Sequence, residues 1–135
     1  MNSQSQRQWT QEYQNLMAEA REHRSFLGKD ALVAVLKTVK GNLYTVDIPD
    51  CLDTPAREML ENRCVEQMMQ QDDTHVEICL ATFDGNVPEI LSWNFRRRLM
   101  EANENNMETA CFLWGGDDGI IVKPFQSLLP PKYSK

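Results

Sequence analysis

Ala31-Leu-Val-Ala-Val-Leu-Lys-Thr-Val39 runs into Lys40-Gly-Asn42 and then into Leu43-Tyr-Thr-Val-Asp-Ile48. Two β-favouring runs split by a short Gly-Asn turn predict a hairpin. The first run is apolar almost throughout, which suits a central strand covered on both faces. A helix over Asp30 to Val39 is the competing reading of the same residues.

Upstream, Trp9, Tyr13, Leu16, Met17, Ala20 and Leu27 recur at three- and four-residue spacings, with Gln11, Glu12, Asn15, Glu19 and Glu22 opposite them. This pattern predicts an amphipathic helix from about Ser5 to Leu27. Ser5 with Gln8 offers a capping box, and Gly28 a stop.

Downstream, Thr54 and Pro55 suit the cap and first residue of a second helix. Its apolar stripe reads as Ala56, Met59, Leu60, Cys64, Met68 and Met69, ending near Gln71. His75 to Phe83 alternates as a strand. Pro88 to Ala102 predicts a third helix, although Leu91, Trp93 and Phe95 also alternate as a short strand over 90–95 would. Thr109–Trp114 and Ile120–Pro124 flank Gly115-Gly-Asp-Asp-Gly119 as a second hairpin. The order is αββαβαββ. It predicts a single α+β domain over 1–135, with a mainly antiparallel sheet of about five strands packed with three helices. Residues 1–5 and 126–135 read as flexible tails.

The N-terminus is polar, which argues against a secretory leader. No run approaches the roughly 20 apolar residues of a membrane span. Cys51, Cys64, Cys79 and Cys111 are widely spaced, and each sits in an apolar pattern, as free buried thiols do. A reducing, cytoplasmic setting is the expectation.

Zinc sites usually supply ligands in close pairs. Here no two cysteines come closer than thirteen positions. His75 and Cys79 would stand about 13 Å apart along a strand. His75 and Glu77 form a His-x-Glu, but the Pro-Cys-x-x-Cys that completes that kind of zinc site is absent. No phosphate-cradling glycine loop and no Gly-x-Ser-x-Gly occurs. No metal, cofactor or catalytic residue is therefore assigned. The carboxylates of Asp47, Asp50, Asp53 and Asp84 remain the material from which an enzyme would be built.

The chain carries a net charge of −6 on 135 residues. Residues 51–90 hold nine acids and two bases, while the flanks are close to neutral. Glu58, Glu61, Glu66, Asp72 and Asp73 therefore define an acidic face suited to a basic partner. Trp93 and Trp114 would anchor such an interface or a homodimer. Arg96-Arg97-Arg98 is the one concentrated positive stretch, but three consecutive helical residues fan over roughly 200°. Anion or nucleic-acid binding is the weaker reading of it.

The expectation is a small acidic cytoplasmic protein acting by protein–protein binding without catalysis, like a chaperone, inhibitor or antidote. A small carboxylate- and His75-based hydrolase is the first alternative. A nucleic-acid module using Arg96 to Arg98 is the second.

Overall fold

The computed structural model describes residues 2–27 and 31–128. The elements are α1 (Asn2–Leu27), β1 (Ala31–Thr38), β2 (Leu43–Pro49), α2 (Thr54–Gln70), β3 (Val76–Thr82), β4 (Pro88–Glu89), α3 (Trp93–Ala102), β5 (Ala110–Trp114) and β6 (Ile120–Pro124). Single 3-10 turns follow α3, join β5 to β6 and follow β6.

The strands form one six-stranded sheet in the order β2-β1-β3-β5-β6, with β4 pairing on β3. Its two faces explain the apolar runs. Val33 and Val35 of β1, with Ile78 and Leu80 of β3, pack under Leu16, Met17 and Ala20 of α1. The alternate residues Ala34, Leu36, Cys79 and Ala81 pack under Cys64, Val65 and Met68 of α2 and Phe95 and Leu99 of α3. A strand buried on both faces has no polar side to alternate with. Trp9 and Tyr13 meet Phe112 edge-on, at 5.9 and 5.4 Å between ring centroids, and clamp α1 across β5.

The first hairpin lies where the turn chemistry puts it. β1 and β2 are antiparallel, and Gly41 takes the left-handed backbone (φ 92°) that the turn requires. The second hairpin, β5–β6, is likewise antiparallel.

The α+β reading and the three helices hold, with corrections. The sheet is mixed: β3 and β5 run parallel, joined through α3, and a sixth strand, β4, is present. The expected helix from Pro88 splits, because Pro88 and Glu89 pair with β3 before α3 begins at Trp93. The short strand at 90–95 does not form either. Asp53, not Thr54, caps α2, accepting the Ala56 N–H at 3.0 Å. The α2 stripe is also rephased. Met59 and Met69 are exposed, whereas Glu61, Cys64, Val65 and Met68 are buried. α1 is already helical at Asn2, inside the expected N-terminal tail, and Gln126 and Ser127 of the expected C-terminal tail form a turn. The Gly28 stop and the tail beyond Leu128 lie outside the described residues.

Cys79 and Cys111 are register partners across β3 and β5, and both are fully buried. Cys64 is buried too, and burial pushes its thiol up to about 12. Only Cys51 is exposed. Native protein should therefore release one equivalent in an Ellman titration, and four after denaturation. Four in the native state would mean that the sheet opens readily.

Candidate functional site

The N-terminal ends of α2 and α3 meet and line a cavity of about 280 Å³, close to where the start of β1 pairs with the exit of β2. From α2 come Arg57, Glu58 and Glu61; from the start of α3 come Ser92, Trp93, Asn94 and Arg97. A second hollow of about 60 Å³ adjoins it and shares Arg57, Glu61 and Ser92.

Glu61 is the centre of this arrangement. It occupies the first position of the buried i, i+3, i+4, i+7 stripe of α2, ahead of Cys64, Val65 and Met68. That spacing directs it inward, and only 3% of it is exposed. A buried carboxylate needs donors. Oε2 accepts the Ser92 hydroxyl at 2.8 Å, and Oε1 accepts Asn94 Nδ2 at 2.9 Å. Each carboxylate oxygen keeps a second acceptor direction.

Ser92 does two jobs. As the α3 N-cap it accepts the Phe95 N–H at 3.1 Å, while its own proton goes to Glu61. Asn94 is held from both ends: Nδ2 also donates to Asn62 Oδ1 at 3.2 Å, and Oδ1 accepts Arg97 Nη2 at 3.2 Å. Arg97 is tied in turn to Glu101 at 3.0 Å. The donors around Glu61 are thus themselves fixed, which sets the carboxylate in one orientation.

The acidic residues expected to share one face do so only in part, since Glu58 and Glu66 line one surface hollow of α2 while Glu61 and Asp73 are buried. Glu61 is inside the cavity wall, Glu58 is half-buried beside it, and Glu66 and Asp72 are exposed. Asp73 is buried elsewhere. Its Oδ2 accepts Thr38 Oγ1, Asn42 Nδ2 and Tyr44 Oη at 3.1, 2.8 and 3.0 Å, tying the end of α2 to the first hairpin. Trp93 lines the cavity, whereas Trp114 stands exposed at the end of β5.

The three arginines also separate. Arg96 is buried, donating to the Leu91 carbonyl at 2.9 Å and to the Leu128 carbonyl, and it lies 5.4 Å from the centroid of the Trp93 ring. Burial lowers its pKa. Arg97 and Arg98 both reach Glu101. No common phosphate-binding surface results.

The aspartates considered for catalysis do not converge. Asp53 caps α2. Asp84 accepts the Asn86 and Val87 N–H groups at 2.8 and 3.0 Å, and these bonds hold its carboxyl below the usual range. Asp47 sits 3.6 Å from His23. Asp50 alone touches the smaller hollow. His75 is half-buried at the start of β3 and takes no part in the cavity. Among the described residues no group of three or more His, Cys, Asp or Glu is placed to hold a metal ion. Among the described residues no helix is long and apolar enough to cross a membrane.

Sequence reading missed the Glu61–Ser92–Asn94 cluster. Its signals were present: Glu61 holds helical register with three apolar residues, and Ser92 stands three before Phe95 as a cap would.

No family model matches the chain. No curated protein matches it by sequence. Among solved structures the chain is similar to the cytidine deaminase from Bacillus anthracis, with a TM-score of 0.65 and 18% identity over 90% of this chain and 89% of that one. The likeness is one of fold. It overturns the expectation of a non-catalytic binding protein with an acidic docking face. The fold is similar to that deaminase's, and the supposed face contributes Glu61 and Glu58 to the wall of a cavity.

Proposed function

We propose that this chain is a small hydrolase of deaminase-like fold whose working carboxylate is Glu61. The observation that carries the reading is Glu61 itself: a buried carboxylate, oriented by Ser92 and Asn94, on the wall of a cavity between two helix N-termini. Buried carboxylates cost stability, and a buried carboxylate that also faces a cavity is what a working acid–base group requires. Ser92 and Asn94 orient Glu61. Glu61 takes a proton from water as the water oxygen attacks an electrophilic carbon of the substrate. The same proton then passes to the departing nitrogen or oxygen, and Glu61 returns to its starting state. The N-terminal end of α3 favours the negative charge that develops on the attacked group.

Zinc deaminases activate that water on a metal held by His and Cys ligands, with a separate glutamate as acid and base. The donors of this chain do not fit such a site. Cys64, Cys79 and Cys111 lie in the core, Cys51 is exposed outside the cavity, and His75 is away from it. No step is therefore routed through a metal.

The test is a hydrolysis panel of small amides, esters, amidines and amino-substituted rings, run with and without a strong chelator. Turnover of at least one compound, unchanged by the chelator, is the expected result. A panel with no turnover overturns the reading, and turnover abolished by the chelator overturns its metal-independent chemistry.

A further inference from the structure

The cavity carries more charge than a general-base step needs. Two guanidinium groups line it, Arg57 from the first turns of α2 and Arg97 from α3; Arg97 already gives Nη1 to Glu101 and Nη2 to Asn94, so Arg57 holds the open fork. Arg57 spends its Nε on the Leu52 carbonyl at 3.2 Å. Its terminal nitrogens have no hydrogen-bond partner among the described residues. Guanidinium forks of this kind suit carboxylate and phosphate groups.

Two carboxylates share the cavity, but they are not equivalent. Glu61 is already satisfied by Ser92 and Asn94, so it makes no demand on Arg57. Glu58 is the one opposing charge left on the wall. The convergence of two helix N-termini adds positive potential.

Trp93 supplies the third feature. Arg96 lies against its ring at 5.4 Å and is itself anchored on two backbone carbonyls, so the ring has a fixed cationic backing. An indole held in this way on a cavity wall is a platform for a flat group. At about 280 Å³ the cavity has room for one ring and one substituent, near the lower limit of small-molecule sites.

Resting on the hydrolase reading above, we infer that the ligands of this cavity are small planar anions: a single ring bearing a phosphate or carboxylate group, with the anion on the Arg57 fork beside Arg97 and the ring against Trp93. The arginines then set specificity, and Glu61 performs the chemistry.

The test uses three probes of one ring, phenyl phosphate, benzoate and phenol, titrated calorimetrically into the full chain. One or both anionic probes should bind at least about tenfold more tightly than phenol, given the strength of charge-assisted hydrogen bonds. Whichever of the two binds more tightly identifies the group. Arg57→Ala and Arg97→Ala should each weaken the anionic probe by about tenfold and leave phenol unchanged. Inorganic phosphate should bind more weakly than phenyl phosphate, and Trp93→Ala should remove that difference.

Phenol binding as tightly as both anions, unchanged anion binding in the double arginine variant, or no binding of any probe would each overturn the inference. The two readings fail separately. Anion binding that depends on Arg57, without turnover in the hydrolysis panel, removes the hydrolase and keeps the anion site. Turnover in the hydrolysis panel, with binding of phenyl phosphate and benzoate unchanged in Arg57→Ala, removes the anion site and keeps the hydrolase.

Discussion

Glu61→Gln should lower turnover by about 10²–10⁴, the usual contribution of a positioned general base, and leave the fold in place. The amide keeps the shape of the carboxylate but cannot take a proton from water. Stability should change by no more than about 1 kcal/mol, because the relief of burying a charge offsets one reversed hydrogen bond to Asn94 or Ser92. Glu61→Leu should behave differently. It takes one acceptor from the buried Asn94 amide, at about 1–3 kcal/mol, whereas the exposed Ser92 hydroxyl turns to water. Steady-state kinetics beside thermal unfolding separates the two effects. If Glu61→Gln keeps more than about a tenth of the activity while Glu58→Gln abolishes it, the working carboxylate is Glu58 and the assignment of Glu61 is wrong.

Asp73→Ala should be the most damaging single substitution to stability outside the apolar core. One carboxylate oxygen collects three side-chain donors, from Thr38, Asn42 and Tyr44. Removing it takes the acceptor from all three where α2 ends and the first hairpin turns, and leaves the fully buried Thr38 hydroxyl with no water to replace it. Bonds to a charged acceptor are worth about 1.5–3 kcal/mol each and are not additive, so a loss of about 3–5 kcal/mol is expected. That corresponds to a fall in Tm on the order of 10–20 °C.

The same group gives a pH signature. Burial alone would raise the Asp73 carboxyl, but the bonds from Asn42, Thr38 and Tyr44, with Lys40 nearby, outweigh it and hold the pKa below the usual range. A carboxyl lowered on folding stabilises the protein above its unfolded pKa, near 3.9. That stability is lost as pH falls through the folded value. Unfolding followed by denaturant titration from pH 7 down to pH 3 should show this loss in the wild type and a shallower one in Asp73→Asn. Equal slopes in the two proteins would show that Asp73 is not the group responsible.

Much of the fold was legible. The helices and both hairpins follow from period and turn chemistry, and Leu16, Met17 and Ala20 are buried where their spacing puts them. The order β2-β1-β3-β5-β6 was not legible, because the direction of β5 relative to β3 depends on how α3 crosses the sheet. Local pattern carries no information about that crossing. The start of α3 was misread for a related reason. Pro88 suits the first turn of a helix, but the edge of β3 captured it as a strand.

The acidic stretch is the plainest case. Charge counting treats Glu58, Glu61, Glu66, Asp72 and Asp73 alike, since each contributes the same −1. Helical register already separates Glu61 from Glu66, because only the former is in phase with Cys64, Val65 and Met68.

The sequence by itself determined the three helices, the two hairpins, the apolar content that buries both faces of β1, and the wide spacing of the cysteines. Those are properties of near neighbours, and near neighbours are what a linear pattern records. Only the tertiary structure decided that Glu61 meets Ser92 and Asn94, thirty-one and thirty-three positions away. It alone placed Arg57 and Arg97 on one cavity, and it turned a face read as solvent-exposed into the wall of a site. The physical reason is that an isolated carboxylate stays in water, and Glu61 is buried only because α3 brings it a hydroxyl and an amide.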